Sequence, residues 1–135
     1  MKLFVDANVF LRFLLRDHKN QSPAAKKLFL NAKLGKNKLV THSLVISEII
    51  FILESYYRFS KKDIIKKIKI ILLFDGLEIL EKDTLIQAIF FYEKHNIDFV
   101  DAYVAAYSER NKLTVCSFDQ DFNKIKEIKR ISPTL

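Results

Sequence analysis

Short apolar runs alternate along this chain with longer stretches whose apolar residues recur at helical spacing, and only two Gly and two Pro interrupt the pattern. Parallel strands need a crossover of a dozen or more residues between them, and a helix is the usual way to make one. The alternation therefore predicts an α/β fold with a mainly parallel sheet. Residues 2–5, 39–41, 77–80 and 113–116 read as strands, with 129–132 as an edge strand. Between them, residues 7–16 carry Val9, Phe10, Phe13 and Leu14 on one helical face. A second helix starts at Ser22-Pro23, an N-cap followed by proline at the first helical position, and ends near Gly35. Further helices span 43–57, 60–74 (opened by a capping box of Ser60 and Asp63), 83 to about 95, and 98–111. No repeat, linker or low-complexity segment breaks the series, so a single domain over 1–135 is expected, and a half-hydrophobic composition suffices for its core.

The charge balance points outward. Lys and Arg number 23 against 16 Asp and Glu, a formal charge of +7, which favours a polyanionic partner such as nucleic acid or an acidic protein. Cys116, the one cysteine, precludes an internal disulfide and reads as a buried, inert thiol within an apolar run, consistent with a reducing cytoplasm. No signal peptide is expected, because Met1-Lys2 leads directly into Leu3-Phe4-Val5 and an acid. Apolar runs such as 70–74 are far too short to cross a membrane.

The acids stand in telling places. Ligands of open α/β sheets gather outside the carboxyl ends of the strands. Asp6 ends the first strand and Asp119 follows the strand holding Cys116, although each could simply cap the next helix or turn. Glu48 lies within Leu44-Val45-Ile46-Ser47-Glu48-Ile49-Ile50-Phe51, which leaves little room for a polar face. A carboxylate buried there would need a cation, a base or a proton. The alternative is that it reaches the surface. Asp98 reads as the N-cap of its helix. Asp101 falls in the first turn beside Val100 and Ala102, where capping explains it less well. Asp121 serves as a turn former or a secondary ligand.

Four segments, Phe4-Val5-Asp6-Ala7-Asn8, Ser47-Glu48, Asp98-Phe99-Val100-Asp101-Ala102 and Ser117-Phe118-Asp119-Gln120-Asp121-Phe122, together resemble the PIN-domain family, and among its members the VapC-type toxins of toxin–antitoxin pairs. The resemblance implies a PIN-like, Rossmann-like three-layer domain with a central sheet flanked by helices. It places Asp6, Glu48, Asp101 and Asp119 at the four acidic positions of a metal-dependent endoribonuclease, with Asn8 and Ser117 as polar helpers and Asp98 and Asp121 beside them. It further implies Mg²⁺ or Mn²⁺ as cofactor, RNA as substrate, 5′-phosphate and 3′-hydroxyl products, a homodimer and a small antitoxin partner. Clustered carboxylates repel one another unless a cation joins them, and these hard ions prefer oxygen ligands while keeping several waters. Arg12 and Arg16, one turn apart after Asp6, are candidates for RNA phosphates, with Lys112, Lys124, Lys126, Lys129 and Arg130 as a second basic group. Phe51, Tyr56, Tyr57 and Phe59 suit a dimer or antitoxin groove. A phosphate-binding loop, a nucleophile elbow and a zinc-helix motif are all absent, and His18, His42 and His95 lack ligand spacing. Two other readings stay open: a non-catalytic PIN-like module that binds RNA or protein, and a phosphoaspartate enzyme using Asp6.

Overall fold

A computed structural model describes residues 1–135. The chain forms two compact units, Met1–Leu80 and Glu81–Leu135.

The first unit contains β1 (Lys2–Phe4), α1 (Ala7–Leu15), α2 (Gln21–Lys33), β2 (Lys38–His42), α3 (Ser43–Ser55), α4 (Lys61–Leu72) and β3 (Leu77–Leu80). Its three strands run in the order β1-β2-β3, and both pairings are parallel, as the alternation predicts. Leu3 lies opposite Leu39, and Thr41 opposite Ile79. The end of β1 is held firmly. The Val5 amide donates to Val40 O at 2.8 Å, and the buried Thr41 hydroxyl donates to Val5 O at 2.9 Å. Leu39, Ile46, Ile49, Leu53, Ile64 and Ile68 are buried, with Phe10 and Phe29 among the largest side chains in the interior. Gly76 (φ 91°) lies under α2, and a Cβ there would meet Ala32 O at 2.6 Å, so backbone proximity and backbone conformation both demand glycine.

Helix starts in this unit depart from expectation at one point. Ser60 caps α4 by accepting from the Asp63 amide at 3.2 Å, as the capping box predicts. For α2, however, Ser22 is not the cap. The helix begins at Gln21, and the His18 Nδ1 accepts from the amides of Asn20 and Gln21 at 3.2 and 3.0 Å. Ser22 instead accepts from the His18 amide at 3.1 Å, and an upstream imidazole has taken the capping work. His42 does the same for α3, its Nδ1 accepting from the Leu44 amide at 3.0 Å.

The second unit contains α5 (Lys82–Lys94), α6 (Phe99–Arg110), β4 (Val115–Cys116), a 3₁₀ turn (Gln120–Lys124) and β5 (Arg130–Ile131). α5 packs against α6, with Tyr92 edge-on to Phe99 at 5.4 Å between ring centroids and Gln87 donating to Glu109 at 2.8 Å. β4 pairs with β5 in parallel. Cys116 is exposed, contrary to the buried thiol expected from its apolar neighbours. Alternation along a strand explains this: Val115 turns inward, so Cys116 turns outward. No helix is long and apolar enough to cross a membrane.

Candidate metal centre

The second unit gathers three carboxylates. One oxygen each from Asp101, Asp119 and Asp121 lies within 4.8 Å of the others. Asp101 sits in the first turn of α6, whose N-terminal amides favour negative charge. Asp119 and Asp121 come from the turn after β4. There Asp119 Oδ1 accepts from the Asp121 amide at 2.8 Å, and the Ser117 hydroxyl accepts from the Asp119 amide at 3.0 Å. The capping role foreseen for Asp119 is therefore real, yet it occupies only one of two oxygens.

Arg130 holds this turn in shape. Its Nη1 donates to Ser117 O at 2.7 Å and to the Ser132 hydroxyl at 2.8 Å, while Nε donates to Asn123 Oδ1 at 2.9 Å. In the basic group proposed for RNA contact, Arg130 is thus engaged within its own unit. Lys124 is engaged as well. Its Nζ pairs with Asp121 at 2.9 Å and donates to Asn96 O at 3.0 Å. Sequence reasoning passed over this role, although the three-residue spacing of Asp121 and Lys124 on a helical turn was a usable signal.

Electrostatics mark Asp101 as the strained member. Partial burial raises its pKa, and the charges of Asp119, Asp98 and Asp121 raise it further, as does a hydrogen bond with Asp119 that favours the protonated acid. Asp98 occupies the N-cap position of α6, but its side chain makes no capping bond. Capping therefore does not account for Asp98, and its exposed carboxylate adds to the field on Asp101. A cation would relieve this repulsion. Three convergent carboxylates, two of them only partly buried, also suit a hard divalent ion that keeps bound water.

The remaining acids foreseen for the site lie in the first unit. Asp6 is the N-cap of α1 and accepts from the Val9 amide at 3.4 Å, a long bond that leaves its second oxygen available. Asp6, Asn8 and Arg12 line one concavity of 440 Å³. Arg12 is committed to Asp17 at 2.7 Å. Desolvation works against its charge, but Tyr57 and Asp17 outweigh this and raise its pKa. Arg16 is exposed at the left-handed C-cap of α1. Glu48 contradicts expectation because it is exposed rather than buried. It shares an outward stripe of α3 with Leu44 and Phe51, which are 73 % and 64 % exposed, so apolar residues disguise a solvent-facing side. An exposed carboxylate needs no buried partner, so Glu48 is singled out by its motif position alone.

A family model for the PIN domain matches residues 3–128. The chain belongs to the PIN-domain family. Comparison of this PIN domain with curated proteins gives no match. Among solved structures it is similar to VapBC2 from Rickettsia felis, crystallised on a DNA fragment from the promoter. That pair shares 15 % identity at a TM-score of 0.40, covering 99 % of this chain and 100 % of the other. It is also similar to VapC20 from Mycobacterium tuberculosis, described as a Sarcin-Ricin loop cleaving toxin. Here identity is 20 % and the TM-score 0.42, covering 92 % and 94 % of the two chains.

Proposed function

We propose that this PIN domain is a metal-dependent endoribonuclease and the toxin of a toxin–antitoxin pair. The observation that carries the reading is the convergence of Asp101, Asp119 and Asp121 within 4.8 Å in a chain of this family. These three residues would hold Mg²⁺ or Mn²⁺. When bound, the ion supplies positive charge against the phosphoryl oxygens and acidifies a water. The chain supplies the arrangement. Ser117 and Arg130 fix the turn that presents Asp119, and α6 presents Asp101. Asp6 and Glu48 keep the role their motifs imply, as further acids of the reaction, with Asn8 as a polar helper. Family likeness adds a small antitoxin and a homodimer as partners, and a single cysteine without a disulfide fits the cytoplasm as the place of action.

The test is cleavage of single-stranded RNA. Activity should require Mg²⁺ or Mn²⁺, stop with chelator, and disappear in Asp101→Asn, Asp119→Asn and Asp6→Asn variants that remain folded. One observation favours the non-catalytic module instead, since Lys124 already offers a cation to Asp121. RNA binding that is indifferent to metal and to these substitutions, with no cleavage, would decide for that module.

A further inference from the structure

The junction of α1 and α2 forms a concavity of 540 Å³, of the size of small-ligand pockets, and none of the acids foreseen for the metal site lines it. One wall is apolar. Phe13 is half-buried, stacks on Phe29 at 4.3 Å and meets Phe74 edge-on at 6.1 Å. The rim is cationic. Arg16, Lys19 and Lys26 are exposed and take part in no ion pair. Asp17, the one acid of the lining, is compensated by Arg12 at 2.7 Å and accepts from the Tyr57 hydroxyl at 3.3 Å. It therefore opposes an incoming anion only weakly.

The lining is also preformed. Arg16 adopts φ 53° with its amide bonded to Arg12 O, and the loop to α2 is tied down by His18 and Ser22. A bare phosphate needs no aromatic wall, and neither does an acidic peptide. An unpaired nucleotide needs both features, because its base offers a flat apolar face and its backbone a charge. We propose that this pocket docks an unpaired nucleotide of single-stranded RNA, with Arg16, Lys19 and Lys26 on the phosphates and Phe13 against the base. The identity of the strand as RNA rests on the ribonuclease reading.

The experiment is fluorescence anisotropy of a labelled single-stranded oligoribonucleotide in chelator, so that binding is read without cleavage. Lys19→Ala/Lys26→Ala removes two exposed side chains. It should weaken binding about tenfold or more and shrink the slope of log affinity against log salt by about 1.4. The melting temperature and its response to Mn²⁺ should stay as in the wild type. Phe13→Leu should weaken RNA binding while leaving the binding of inorganic polyphosphate unchanged. Unchanged affinity and salt slope in the double variant would overturn the proposal. So would duplex RNA binding as tightly as single strands, or polyglutamate competing as well as RNA, which would mark an acidic-protein surface. The two readings fail separately. Loss of binding in the double variant of a chain that never cleaves RNA sinks the nuclease and keeps the pocket. A cleaving wild type whose double variant binds unchanged does the reverse.

Discussion

Replacing Asp101 by Asn tests the candidate metal centre through stability alone, without any substrate. Carboxylate oxygens within 4.8 Å of one another repel by roughly 1 kcal/mol at the dielectric of water and by about 3 or more at that near a protein surface. Asp119 is exposed, so the smaller value governs its pairings. Asp101→Asn removes two of these repulsions at almost constant volume, and its amide can donate to Asp119. Without metal, the variant should be more stable by about 1–2 kcal/mol, melting roughly 3–8 °C higher for a chain of this size. The gap should depend on pH. Asp101 has its pKa raised in the folded state, so its protonation favours folding below the ordinary carboxylate range. That contribution is lost as pH rises through the raised value. Wild type and variant should therefore converge as pH falls from 7 towards about 4. Divalent metal should reverse the order, since saturation at a hundred times Kd stabilises the wild type by about 2.7 kcal/mol and the variant has lost a ligand. The assay is thermal melting with chelator, Mg²⁺ or Mn²⁺ across pH. A variant that melts below the wild type in chelator, or responds equally to metal, would refute the reasoning.

Lys124→Ala releases Asp121 from an exposed ion pair; stability should change by less than about 0.5 kcal/mol. The metal-induced rise in melting temperature should grow, and a smaller rise would mean that Lys124 helps to hold the site. Arg130→Ala should cost about 2–3 kcal/mol in urea unfolding, because Ser117 and Asn123 lose a charged donor. The same variant should also weaken the response to metal. Gly76→Ala combines positive φ with a clash against Ala32 and should cost about 2–4 kcal/mol, read from the denaturation midpoint. Ser60→Ala removes the α4 cap and should cost about 1 kcal/mol, with no change in metal response.

Much of the fold was legible because it depends on local signals. Periodicity located every strand and helix to within a few residues, and the Ser60 cap needed only its own neighbours. The α2 cap was misread because His18, four residues before Ser22, takes the helix amides. The other two misreadings share a cause: the exposure of Glu48 and the exposure of Cys116 each depend on which side of an element faces the interior. Local composition does not carry that information when apolar residues occupy both sides, as Leu44 and Phe51 do on α3.

The order and chemistry of the acids were determined by the chain itself, as was the family to which it belongs. What tertiary structure decided is which carboxylates come together. Asp121 joins Asp101 and Asp119 because Arg130 and the Ser117 turn bend the segment after β4 back toward the start of α6. Charge pairing falls steeply with distance, and distances between residues far apart in sequence exist only once the chain has folded.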